Sequence, residues 1–266
     1  MTAIHSRPAR AGRRIGRVRF AIGATVAALV MVVALPFIAW AQPPGALPAS
    51  APAPATRFQP AFDYDGDGCY PTPAIGADGT LNPGLKNSGA LNGSCHDESD
   101  LDNTNSYVRG KCDSGWCAYL YDLYFEKDQA VAGVDCCGHR HDIEHVVVWV
   151  SGGQVRYVST SAHGDFSTHP AADVTFEDST HPRIVYHKDG ALTHCFRLAN
   201  ADEDPENHKD AWQFPALVGW NDFPPGIRDT LVTADFGKAS LGIKDGSFES
   251  NLEKAEPAGI PFDARA

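Results

Sequence analysis

The apolar positions of this chain fall into short runs that are rich in β-branched and aromatic residues. Glycine, aspartate, proline and serine separate these runs, a spacing that favours a β-sandwich over alternating strand and helix units. Strands are predicted at residues 118–125, 146–150, 154–159, 183–187 and 194–198, and short helices at 211–218 and 247–255. The pattern therefore predicts an all-β, single-domain β-sandwich with a few short peripheral helices.

The N-terminus has the composition of a segment that directs export. Residues 1–19 contain six arginines and no acidic residue, residues 20–41 are apolar, and Ala39-Trp40-Ala41 matches a small-x-small cleavage signal. We predict a cleaved signal peptide at residues 1–41 and hence a secreted protein. The alternative is an uncut anchor, because about 20 apolar residues suffice to span a bilayer.

The remaining chain divides by composition into a linker and one domain. Residues 42–58 are rich in Ala and Pro without periodicity and are predicted to form a flexible linker, which leaves the domain at 59–261. Loss of the six N-terminal arginines changes the formal net charge from −11 to −17. This acidity argues against attraction to nucleic acid or anionic lipid and fits a secreted protein that binds cations.

A dense group of ionisable side chains lies just before the apolar run 146–150. Residues 138–145 read Gly-His-Arg-His-Asp-Ile-Glu-His. On a strand, Asp142 and Glu144 share one face, and two adjacent carboxylates repel each other unless a cation lies between them. Oxygen ligands favour a hard cation, so the pattern predicts Ca²⁺ or Mg²⁺. The alternative is a strand end whose charges simply face water.

The same stretch allows a second interpretation, as an enzyme site. His141 to His145 fit the H-x-x-E-H pattern of inverted zinc metalloproteases. That mechanism requires both histidines on one helical face, whereas the Val-Val-Val-Trp-Val that follows is poor helix-forming sequence. On a strand the two histidines lie about 13 Å apart, too far to bind one zinc ion. We therefore expect a protein that is not an enzyme and keep a metal-dependent hydrolase as an alternative.

Residues 138–144, GHRHDIE, closely resemble the signature GHRHDWE of the necrosis- and ethylene-inducing-peptide-like proteins. The resemblance extends from about residue 64 to residue 255. Further motifs of the family lie at residues 107–110, 124–128, 161–164, 234–239 and 251–255. Several ordered motifs at suitable spacing make this resemblance specific.

The resemblance implies a secreted β-sandwich similar in shape to the actinoporins, with a divalent metal ion, Ca²⁺ or Mg²⁺, at one end. It implies a cytolysin-like toxin and virulence factor that recognises glycosylinositol phosphorylceramide sphingolipids of plant plasma membranes, or related glycans. Such a protein permeabilises the membrane and causes necrosis. We expect a monomer without a nucleic-acid partner.

The family motifs also assign roles to residues of this chain. Asp128 and Asp142 are expected to be direct metal ligands, and His139 and Glu144 to complete the metal site partly through water. His163 and His194 are expected to line the ligand cavity. Arg140 and His141 are placed in the ligand-binding group, where they orient the loop by hydrogen bonding. A cation held by few protein groups keeps positions open for water or a sugar hydroxyl.

Two departures from the family pattern concern toxicity. Ile143 replaces the tryptophan of the heptapeptide, and the loop at 188–193 lacks the tryptophan that toxic members carry before the residue matching His194. Thr193 stands where toxic members often have aspartate. Because aromatic side chains anchor proteins at membrane interfaces, these changes weaken the expected membrane contact. A non-cytotoxic member that binds glycans is therefore the alternative function.

Seven cysteines in an exported chain imply disulfides and one unpaired thiol. The resemblance implies a Cys69–Cys95 bridge, and the four residues enclosed by the Cys112–Cys117 pair allow a local bridge. Zinc binding is the alternative for these cysteines. One of the adjacent residues Cys136 and Cys137 is predicted to bridge to Cys195.

A second acidic motif precedes these elements. Asp63, Asp65 and Asp67 form D-x-D-x-D-G, which resembles the first half of an EF-hand loop, although residue 74 is alanine where that loop has its last glutamate. The motif also resembles the extra calcium-binding segment of the type 2 subgroup of the family. We predict a second calcium site here, with a solvated acidic turn as the alternative.

Overall fold

Two β-sheets pack face to face in the computed structural model, which describes residues 42–266. The strands are β1 Ala61–Tyr64, β2 Asn105–Asp113, β3 Trp116–Gln129, β4 Gly138–Ser151, β5 Gln154–Ala162, β6 Asp165–Pro170, β7 Phe176–Glu177, β8 His181–Lys188, β9 His194–Leu198 and β10 Ala216–Gly219. The helices are α1 Ala53–Arg57, α2 Ile227–Thr233 and α3 Phe248–Ala255, with 3₁₀ turns at Glu98–Asp102 and Ala171–Asp173.

The larger sheet has the order β10-β2-β3-β4-β5-β6, and the smaller sheet has β1, β7 and β9 paired with β8. The β1–β8 and β10–β2 pairs are parallel and the other pairs are antiparallel. This arrangement confirms the predicted all-β sandwich.

Apolar side chains fill a layer on each face of the larger sheet. Val148 packs between the sheets, where the rings of Phe125 and Tyr186 stack with centroids 3.8 Å apart. Trp149 lies on the other face, which α2, α3 and the C-terminal residues cover. Because both faces of β4 are buried, residues 146–150 form a continuous apolar run without alternation.

The strands predicted from sequence are confirmed, and α3 confirms the helix predicted at 247–255. The helix predicted at 211–218 is wrong, because β10 lies there and pairs with β2. Pro215 lacks an N–H donor and disfavours a helix interior, while the following residues gain hydrogen-bond partners along β2. The sequence pattern does not predict α1 or α2.

The Ala/Pro-rich segment at 42–58 packs against the sandwich, which corrects the prediction of a flexible linker. Leu47 is buried, and the Asn105 side chain accepts a hydrogen bond from its N–H at 2.8 Å and donates one to its carbonyl at 2.9 Å. Pro52 begins α1. These contacts come from a residue far along the chain, so the composition of the segment does not predict them. The predicted signal peptide at 1–41 lies outside the described residues.

Both predicted disulfides, Cys69–Cys95 and Cys112–Cys117, are present. The predicted bridge to Cys195 is wrong: that thiol is buried and unpaired, with its sulfur 3.5 Å from His187 Nε2. Cys136 and Cys137 are exposed in the loop before β4 and are also unpaired. Within residues 42–266, no helix has the length and apolar character that a membrane span requires.

Candidate metal and ligand site

The ends of β3 and β4 bring three potential metal ligands together. Asp128 and His139 lie opposite each other in the ladder, and ligand atoms of Asp128, His139 and Asp142 all lie within 4.8 Å of one another. In a regular strand, His139 and Asp142 would face opposite sides. His141, between them, has a left-handed φ of 60°, which interrupts the alternation. The local backbone therefore places both side chains in one group.

Two glycines make room for this backbone. Gly84 has a φ of 62°, and a Cβ there would lie 2.6 Å from the His141 ring. A Cβ at Gly138 would collide with the carbonyl oxygen of Asp128 and lie 2.9 Å from Gln129 Cα. A side chain at Gly138 would therefore displace the backbone of β3, and one at Gly84 would displace the side chains of His141 and Arg140.

Gly138→Ala is expected to weaken both the fold and cation binding. The added methyl group must displace Asp128, and a backbone shift of this kind costs about 1–3 kcal/mol. Urea unfolding and a calcium titration measure the two effects. Gly45→Ala is the matched control, because a Cβ there meets no atom within 4 Å. Equal calcium affinity in both variants would contradict the prediction.

Hydrogen bonds orient each of the three side chains. His139 Nδ1 donates to the His141 carbonyl at 2.7 Å, which leaves Nε2 free to bind a cation. Asp142 Oδ2 accepts from the Tyr186 hydroxyl at 2.8 Å. Asp128 accepts from both the backbone N–H and the Nδ1 of His194, at 2.9 and 2.7 Å. The ligand group is therefore held by both sheets.

The carboxylates concentrate negative charge in a buried place. Burial, followed by the charge of Asp128, raises the pKa of Asp142 to about 6. Burial and the charge of Asp142 raise the pKa of Glu144 well above its ordinary value, although Ser161 donates a hydrogen bond to it. A bound cation would relieve this repulsion. Two carboxylates and one imidazole fit a hard divalent cation with positions left for other oxygen ligands.

The ligand group lies in the wall of a cavity of about 480 Å³. Glu144 lines this cavity but lies outside the group of three, and His163 and His194 line it as expected from the resemblance. Sequence reasoning missed a polar part of the cavity wall, formed by Lys238, Ser240, Ser247, Ser250, Asn251 and Lys254. Part of its signal was present in the family motifs at 234–239 and 251–255, which carry the ammonium groups of Lys238 and Lys254 and the amide of Asn251.

Arg140 and His141 do not line this cavity. The Arg140 guanidinium donates to the Pro83 carbonyl at 3.1 Å, and His141 Nδ1 lies 2.6 Å from the Tyr124 hydroxyl. Burial, followed by the charge of Arg140, lowers the pKa of His141 to about 4. Their placement gives no support to ligand contact and agrees with the expected role in orienting the loop.

The H-x-x-E-H pattern lies on a strand, not on a helix. His141 packs beside Phe236, and His145 Nδ1 lies 2.7 Å from Asp122 Oδ1. The two histidines therefore have separate partners and lack the helical spacing that the metalloprotease pattern requires.

Asp63, Asp65 and Asp67 have different surroundings. Asp63 is fully buried and accepts hydrogen bonds from residues 206–207. Burial raises the pKa of Asp65 to about 6, although Arg197 at 3.7 Å lowers it. Asp67 Oδ1 lies 3.4 Å from His194 Nε2, so this loop touches a residue of the cavity. Their oxygens do not form a group within 4.8 Å among the described residues, and the second calcium site stays a prediction.

Comparisons with known proteins agree on one family. A model described as necrosis inducing protein (NPP1) matches residues 53–255. NLP effector protein 10 of Phytophthora capsici is 32% identical over 206 residues, which cover 76% of this chain and 82% of that protein. The structure of NLPPya in complex with mannosamine has a TM-score of 0.65 at 30% identity, covering 80% of this chain and 95% of that one. The structure of the non-toxic HaNLP3 protein has a TM-score of 0.68 at 25% identity, and the match covers 81% of this chain and 99% of that one.

Proposed function

The chain belongs to the necrosis inducing protein (NPP1) family, and on that premise we propose that it is a secreted, metal-dependent cytolysin that recognises sugar head groups of plant sphingolipids. The observation that carries the proposal is the Asp128–His139–Asp142 group in the wall of an open polar cavity. The export signal predicted at the N-terminus supports secretion.

Different residues of the cavity would bind the cation and the sugar. Asp128, His139 and Asp142 would hold Ca²⁺ or Mg²⁺, which when bound offers open positions to hydroxyl oxygens. Hydroxyl, amide and ammonium groups elsewhere in the cavity wall would bind the remaining polar atoms of a sugar. The complex of NLPPya with mannosamine supports a sugar as the ligand class.

The experiment is dye leakage from vesicles that contain plant glycosylinositol phosphorylceramide, with calcium and with chelator. Vesicles without the glycolipid are the control, and free mannosamine or glucosamine is the competitor. We expect leakage that needs both the glycolipid and the cation. Leakage that is independent of both would refute the proposal.

A non-cytotoxic glycan-binding protein is the second candidate, because a structural relative, HaNLP3, is non-toxic. Binding of the glycolipid in calcium without leakage would select this function. Turnover of a peptide or glycoside panel that a chelator abolishes would instead support the hydrolase alternative.

Leu192→Asp is expected to reduce leakage strongly without changing the fold. Leu192 is 55% exposed in the loop before His194, where an apolar side chain can enter the membrane interface. A carboxylate there is costly to bury in the bilayer. The control is Val232→Asp, which changes another exposed apolar residue, on α2. Leakage equal to that of the unchanged protein would show that this loop stays in water.

A further inference from the structure

A second group of metal-ligand atoms lies beside the cavity and differs in chemistry from the first. Ligand atoms of His163, Asp189 and Cys195 all lie within 4.8 Å of one another. His163 follows β5, Asp189 follows β8, and Cys195 lies in β9. Three separate segments, from both sheets, thus bring a nitrogen, an oxygen and a sulfur ligand to one place.

The potential ligand atoms of this group lie close to one another. His163 Nε2 lies 3.1 Å from Asp189 Oδ2. The Cys195 side chain is buried, and a fourth possible ligand, His187 Nε2, lies 3.5 Å from its sulfur. His187 and Cys195 are direct cross-strand partners, so the β8–β9 ladder fixes their spacing.

We propose that His163, Asp189 and Cys195 form a zinc site, with His187 as the neighbouring candidate for a fourth ligand. Mixed sulfur, nitrogen and oxygen ligands suit Zn²⁺ and disfavour Ca²⁺ or Mg²⁺, which take oxygen. Zinc binding converts the Cys195 thiol to a thiolate and releases its proton to solvent. The site is separate from the oxygen-rich Asp128 group.

A zinc ion here would tie the turn between β8 and β9 to the turn between β5 and β6. Asp189 begins the turn that carries Leu192, and Cys195 lies just after it. The ion would fix this turn against the β5–β6 turn at His163, which also lines the cavity. Zinc would therefore order the part of the cavity wall that contains His163 and Thr193 without occupying the first metal group.

Cobalt is the probe that tests the site, because a Co²⁺–thiolate bond gives a charge-transfer absorption band. The exposed Cys136 and Cys137 are first changed to serine, and calcium is kept in excess to fill the first group. We expect a thiolate band that zinc displaces. An additional Cys195→Ser change should remove it.

Asp189→Asn tests the same site without altering a buried residue. Because loss of even an outer-shell partner costs about 10- to 100-fold in metal affinity, this change should lower zinc affinity at least about 10-fold. The matched control, Asp202→Asn, changes an exposed aspartate elsewhere and should have no effect. Absence of a thiolate band, a band that survives Cys195→Ser, or equal zinc affinity in both aspartate variants would overturn the proposal. These readouts do not depend on membrane leakage.

Discussion

Asp142→Asn is expected to abolish calcium binding at micromolar to millimolar ion concentrations and, with it, membrane leakage. The change removes one negative charge beside a divalent cation while keeping the shape of the side chain. A unit charge pair near 4 Å is worth about 4 kcal/mol at the effective dielectric of a protein surface, and a divalent ion gains more. This corresponds to about a 1,000-fold loss of affinity.

Calorimetric titration with calcium and the glycolipid leakage assay measure the two effects. The variant should remain folded, because the Tyr186 hydroxyl can still donate to the amide oxygen at position 142. It should even unfold at a higher denaturant concentration in chelator, since burial beside Asp128 disfavours the charged form of Asp142. Asp202→Asn is the matched control. Full calcium affinity in Asp142→Asn would refute the assigned site.

The strands of this site could be predicted from the sequence, but the backbone conformation that groups its ligands could not. The apolar run after Glu144 fixes β4, and alternation correctly places Asp142 and Glu144 at one cavity. It cannot bring His139 to the same group, because that placement depends on the left-handed φ of His141 and on the space that Gly84 leaves. Such a backbone conformation is set by tertiary packing and has no hydropathy pattern.

The errors elsewhere have the same origin. Composition alone makes residues 42–58 look like a linker, whereas Asn105, remote in sequence, supplies hydrogen bonds that hold Leu47. The helix predicted at 211–218 is wrong because residues 216–219 pair with the edge of β2. In both segments the conformation depends on a partner that is distant in sequence, so the residues of the segment alone do not predict it.

Asp63→Ala is expected to lower the free energy of unfolding by about 3 kcal/mol, even in chelator. The Asp63 carboxylate accepts from Glu206 N at 3.0 Å, from Asn207 N at 3.2 Å and from Asn207 Nδ2 at 2.7 Å. Both Asp63 and Asn207 are fully buried, so the Asn207 backbone donor cannot turn to water. Each unsatisfied buried donor costs about 1–3 kcal/mol, and for a domain of this size the melting temperature should fall by about 6–12 °C.

Asp67→Ala separates this structural role from the predicted second calcium site. Its side chain is about half exposed and its one nearby partner is His194 Nε2, so in chelator the change should alter stability by less than about 0.5 kcal/mol. If the loop binds calcium, the unchanged protein gains melting temperature on calcium addition through mass action, and Asp67→Ala loses part of that gain. Thermal unfolding of both variants, with calcium and with chelator, measures these effects. A large loss for Asp67→Ala in chelator would show that Asp67 also stabilises the fold, and no loss for Asp63→Ala would show that the hydrogen bonds of Asp63 do not hold this loop.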